Sequence, residues 1–176
     1  MQNEDPHQPP VLDEETIAFA QRVFQHTRAG HTGEMAQLLD MGLPPNLRNE
    51  KGDSLLMLAC YHGHAELAQL LLERGGDPEL ANDRGQTPLA GAAFKGDARI
   101  VRLLLEQGAN VNGSGPDGRT ALMVSAMFNR TEIVELLVVH GADIHARDAQ
   151  GLTAEAAART MGAPDTPDQL AQLAKK

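Results

Sequence analysis

Residues 85–117 read GQTPLAGAAFKGDARIVRLLLEQGANVNGSGPD, and this stretch decides the fold because its neighbours repeat it in phase. Residues 52–84 read GDSLLMLACYHGHAELAQLLLERGGDPELANDR, residues 118–150 read GRTALMVSAMFNRTEIVELLVVHGADIHARDAQ, and GLTAEAAA begins again at Gly151. The starts at 52, 85, 118 and 151 are 33 residues apart, without insertion. A period of this length denotes stacked supersecondary units, none large enough to bury its apolar face alone. Such a chain presents a surface.

Within one unit the parts are legible. Thr87 caps a helix N-terminus and Pro88 occupies the first helical position, where its missing N–H costs nothing. LAGAAF forms a short helix of small residues ended by Gly96, and ARIVRLLLEQ forms a second with an apolar stripe of Ile100, Val101, Leu103, Leu104 and Leu105. Gly108 follows as a left-handed helix end, and ANVNGSGPD is turn chemistry. Caps recur at Ser54, Thr87, Thr120 and Thr153, and helix-ending glycines at Gly42, Gly75, Gly108 and Gly141. The glycine between helices, Gly63 and Gly96, becomes Asn129, which tolerates positive φ best among the other residues. Weaker matches at Gly30 and Gly42 extend the pattern upstream, with a first helix starting near Asp13, and Thr166-Pro167 opens a last short helix.

Composition agrees. The chain of 176 residues has no Trp and is 3% aromatic, so Leu and Ala, strong helix formers, must fill the core. One cysteine, Cys60, excludes an internal disulfide framework and a multi-cysteine zinc site. The start, MQNEDPHQPPVLDEE, has neither the basic nor the apolar segment of a secretory signal, and no stretch approaches a membrane span. A soluble, cytoplasmic protein is expected. The net charge of −9 concentrates in residues 1–18 and 52–84 and would repel phosphate backbones, so nucleic acid is not expected as a partner.

At TPLA, GDARIVRLLLEQGANVN and GHAELAQLLLERGGDP the units resemble the ankyrin repeat, over residues ~19–160. LLMLACYHGH looks like the small bacterial members. The resemblance implies an all-α solenoid of stacked helix pairs with projecting β-hairpin-like loops, and a binding module whose partners sit on the concave face and the hairpin tips. The expected organisation is an acidic, disordered tail (1–12) and one domain (13–176) of units 13–51, 52–84, 85–117, 118–150 and 151–176, the outer two being caps. One departure is notable: Met57, Ala90 and Met123 stand where the family usually has His. The turn must then rely on packing and on the cap hydroxyls.

By the same resemblance, the pairs Tyr61-His62, Phe94-Lys95 and Met127-Phe128 lie on the concave groove. Tyr61, Phe94 and Met127 would form an apolar track with Phe128 beside it, and three of the five aromatics fall here. Aromatic anchors dominate interface energetics, although each ring could equally pack along its own helix end. The hairpin tips offer Lys51, Asp53, Arg84, Gln86, Asp117 and Arg119, a mixed-sign set that suits a protein surface. Cys60, His62 and His64 raise a metal or thiol-sensor alternative, positions 60 and 64 sharing a face if the helix continues. Gly113-Ser114-Gly115 lacks the strand and Lys of a phosphate cradle, and no nucleophile or acid–base pair is specified.

The function expected is non-enzymatic: an adaptor or regulator that docks one partner protein, without a cofactor and as a monomer. A narrower alternative is an accessory or inhibitory, immunity-like protein of a bacterial enzyme or toxin. The acids of Glu66–Asp83 and of the N-terminal arm would favour a partner with a basic patch.

Overall fold

The computed structural model describes residues 13–175; the tail expected at 1–12 lies outside the described residues. Ten helices follow one another among these: α1 (Glu14–Ala29), α2 (Thr32–Asp40), α3 (Leu55–Tyr61), α4 (Ala65–Glu73), α5 (Pro88–Lys95), α6 (Ala98–Glu106), α7 (Ala121–Met127), α8 (Thr131–Val139), α9 (Ala154–Met161) and α10 (Thr166–Leu173). Odd-numbered helices pack on one another in chain order and form one layer; even-numbered helices form the other. The all-α solenoid is therefore what the period describes. Its hairpin loops contain isolated antiparallel bridges, Arg48 with Ser54 and Ser114 with Thr120.

Local chemistry explains the starts of α3, α5, α7 and α9. The hydroxyls of Ser54, Thr87, Thr120 and Thr153 accept the backbone N–H three residues on, at 3.0–3.3 Å. Three of those N–H groups belong to Met57, Ala90 and Met123, whose side chains are buried. The turn without its usual His is thus held by cap hydroxyls and packing, as the residues imply.

Packing is carried by a continuous core. Leu67, Leu71, Ile100, Leu104, Ile133 and Leu137 of the second helices are essentially inaccessible, against Ala59, Ala92, Ala93, Ala126 and Ala158 of the first. Polar brackets tie unit to unit outside it. Asn46 accepts the Asp77 N–H at 2.8 Å and donates to the Gly75 carbonyl at 3.1 Å. Asn112 does the same two units further on, with the Asp143 N–H and the Gly141 carbonyl. Between them Glu79 accepts the Asn110 N–H at 2.7 Å.

Asn129 does more than replace a glycine. Its φ is 55°, as the sequence pattern requires. Its side-chain oxygen also accepts the N–H groups of Asp165 and Thr166, and its amide donates to Asp165 Oδ2 at 2.8 Å. It therefore caps α10 from the preceding unit.

Two stability measurements follow. Leu104→Ala, at a fully buried position in the middle of the stack, should cost about 3 kcal/mol, and Leu173→Ala at the half-buried end about half of that; equal shifts in a urea titration would contradict this. Asn129→Gly relieves the positive φ yet should lower stability by about 1 kcal/mol, because α10 loses its cap. A stabilised glycine variant would show the cap to be idle.

Candidate functional site

The ends of the first helices bring the aromatic side chains together. Tyr61 closes α3, Phe94 lies next to the end of α5, and Phe128 is the residue after α7. The rings of Tyr61 and Phe94 are nearly parallel, 8° apart with centroids at 6.0 Å, and Phe128 meets Phe94 edge-on at 4.7 Å. Lys95 Nζ stands 4.8 Å from the Tyr61 centroid, within cation–π range. Lys95 and Phe128, the second residues of their pairs, thus lean back on the first residue of the pair in the preceding unit. For that reason the ladder continues through Phe128, and Met127, in phase with Phe94, is half-buried at its side. Tyr61 and Phe128 keep 37% and 40% of their surface exposed.

The hairpin tips are built on side-chain turns that the sequence reading did not identify. Asn49, Asn82 and Asp148, at equivalent positions, each accept the N–H groups two and four residues on. Neighbouring tips are joined by backbone bonds from Asp83 N–H to the Lys51 carbonyl (3.1 Å) and from Ala149 N–H to the Asp117 carbonyl (2.9 Å). In the middle of the row the equivalent residue is Gly115, where a Cβ would overlap the Gly85 backbone.

A cavity of about 580 Å³ lies between the tips around Lys51 and Arg84 and the helices α1 and α3. Lys51, Tyr61, His62, Arg84 and Gln86 line it, with Met57 and Leu58 as its apolar floor and Arg28, Asn49 and Asn82 completing the wall. Arg28 precedes Tyr61 by one period, so the register contained the signal for it. Asp53 also borders the cavity but is 9% exposed and enclosed: its oxygens accept the Asn82 amide at 2.8 Å and the Asn49 amide at 3.3 Å. It is a strut between tips. Asp117 and Arg119 lie outside the cavity and pair with each other at 3.8 Å.

The acids of Glu66–Asp83 do not gather at this surface. Glu66 and Glu73 sit on α4, Asp77 and Glu79 serve the loop after it, and Asp83 is paired with Arg48 at 3.2 Å. This part of the charge that the expectation relied on lies mostly away from the groove, and the N-terminal arm up to residue 12 lies outside the described residues.

The Cys60/His62/His64 grouping needs correction. The helix ends at Tyr61 and Gly63 has φ 79°, so residues 60 and 64 do not share a helical face. Cys60 is fully buried, and burial, with Asp97 adding, pushes its thiol well above the usual range. One His64 ring nitrogen lies 2.8 Å from the Arg28 carbonyl. Among the described residues no group of three His, Cys, Asp or Glu is placed to hold a metal ion, and no helix is long and apolar enough to cross a membrane.

A family model described as ankyrin repeats in three copies matches residues 23–114 and, overlapping, 56–148. The chain belongs to the ankyrin repeat family. An ankyrin repeat protein of Pseudomonas aeruginosa is similar, 57% identical over 61 residues that make up 35% of this chain. The match spans 36% of that relative, about a third of its length. Ankyrin repeats are protein–protein interaction modules and in general not enzymes.

Electrostatics at the cavity favour an uncharged His62. Its pKa lies below the ordinary 6.5, first because of burial and then because His64, Arg28 and Lys95 repel a further positive charge. As pH falls through 6.5 the unfolded chain therefore takes up this proton before the folded one, and His62 weakens the fold on acidification. An NMR titration of the imidazole resonances should place the His62 midpoint below that of an unperturbed histidine, and Arg28→Ala should move it upward. A midpoint above 6.5 would show the cavity's field to be of the opposite sign.

Proposed function

We propose that this chain is a monomeric, cytoplasmic, non-enzymatic docking protein that binds one partner along the Tyr61–Phe94–Phe128 ladder and the adjoining tips at Lys51, Arg84 and Gln86. The ladder carries the reading. Three of the chain's five aromatics stack across successive units at the helix ends, and two of them keep over a third of their surface open. Aromatic groups in such a setting are the usual anchors of an interface. The surrounding groove is preformed, because the tips at Asn49 and Asn82 are tied by side-chain turns and by the backbone bond between them, so little conformational entropy is lost on docking. A specific complex of this kind buries about 1,200–2,000 Å². An accessory or inhibitory protein of a bacterial enzyme is the narrower form of the same reading, and the similar bacterial relative supports its setting.

Affinity capture from the lysate of the source cells tests it, using the wild type beside a Tyr61→Ala/Phe94→Ala/Phe128→Ala variant and a Glu66→Ala/Glu73→Ala control on α4. Circular dichroism verifies that all three are folded. The partner should be retained by wild type and control and lost from the ladder variant. A partner retained equally by all three would move the site off the groove.

A further inference from the structure

The cavity between the tips and the first helices carries a charge opposite to that of the chain. Three cationic side chains line it, Arg28, Lys51 and Arg84, all exposed, in a protein of net charge −9. None of the three has a carboxylate oxygen within ion-pair distance among the described residues. The two acids on the wall are already engaged. Asp83 pairs with Arg48 from outside the cavity, and Asp53 is enclosed by the amides of Asn49 and Asn82. Glu50 shares an adjoining cleft with Arg28 but does not line the cavity. Of these cations, Arg28 also acts on His62, where it opposes protonation.

Beneath the cations lies an apolar floor, Met57 and Leu58, with Tyr61 at the foot of the aromatic ladder. An occupant of this cavity must therefore present an apolar side chain with negative charge around it. We infer that the cavity receives an acidic segment of the partner protein, one apolar side chain seated on Met57 and Tyr61 and the flanking carboxylates met by Arg28, Lys51 and Arg84. Arginine matches a carboxylate with two parallel hydrogen bonds. This inference rests on the groove being the docking surface and names the chemistry of what docks. It departs from the expectation of a basic partner, because the Glu66–Asp83 acids behind part of that expectation are turned to the loops and to α4 or are paired.

The probe is a fluorescein-labelled nonapeptide of glutamates around a central leucine, with two companions in which glutamine or lysine replaces every glutamate. Fluorescence anisotropy against the full chain should give binding of the glutamate peptide at least about tenfold tighter than that of the glutamine peptide, and none of the lysine peptide. Affinity should fall as salt rises from about 50 to about 300 mM. Lys51→Ala/Arg84→Ala should weaken the glutamate peptide about tenfold and leave the glutamine peptide unchanged, with an unaltered circular dichroism spectrum. Equal binding of the glutamate and glutamine peptides, both lost in Tyr61→Ala, would overturn the acidic preference while the groove stands as a docking surface. Glutamate binding that ignores the Lys51→Ala/Arg84→Ala change would overturn the assignment to this cavity. Binding seen only after removal of residues 1–12 would give the cavity to the chain's own acidic segment and overturn a partner as its occupant. Absence of binding by every peptide would overturn the inference, and the capture experiment above then judges the groove by itself.

Discussion

Everything in this molecule depends on how closely successive first helices can approach. Ala59 and Cys60 in α3, Ala92 and Ala93 in α5, Ser125 and Ala126 in α7, and Ala157 and Ala158 in α9 are buried where the helices meet. Gly91 goes further: a Cβ there would come within 3.0 Å of Met57 Sδ. Larger side chains at these positions would force the units apart and open voids that a close-packed interior does not tolerate. Because no single unit can bury its own apolar face, that separation would remove the core itself. Cys60 belongs to this row of small residues, which is why its thiol is inert by burial.

The same spacing creates the surface. Helices held at one interval place the ring at each helix end within stacking distance of the next, and the ladder of Tyr61, Phe94 and Phe128 is the result. Small residues inside and aromatic residues at the exit of the same helices are thus two consequences of one constraint. The tips obey a second constraint, that their backbone groups must be satisfied. Asn49, Asn82 and Asp148 supply the acceptors, and where Gly115 replaces them the chain instead closes directly on Gly85. Each tip is then rigid enough to hold Lys51 and Arg84 over the cavity.

Charge is distributed with similar economy. Acidic residues that look alike in the sequence have different tasks: Asp53 braces two tips, Glu79 brackets a neighbouring loop, Asp97 caps α6, and Asp83 holds Arg48. Among the described residues, the cations at the cavity have no such internal partners. A count of charges along the chain averages over these tasks and so reports solubility and repulsion of polyanions, whereas the local field at the groove has the opposite sign.

The 33-residue register determined the fold by itself, because capping hydroxyls, helix-ending glycines and apolar stripes are local requirements that each unit must meet wherever it stands in the stack. Asn129 in a glycine position and the cap from Ser54 or Thr153 were legible for that reason. So was the neighbourhood of the groove, since helix ends recur at known intervals. What only the tertiary structure decided are contacts between units: the lean of Lys95 and Phe128 onto the preceding rings, the enclosure of Asp53, the cap that Asn129 lends to α10, and the place of Arg28 beside Tyr61 and His62. Each depends on where a side chain of one unit falls against the next, a distance and a direction that periodicity in one dimension does not contain. The sign of the charge at the cavity depends on them all, since it is set by which carboxylates are already engaged elsewhere.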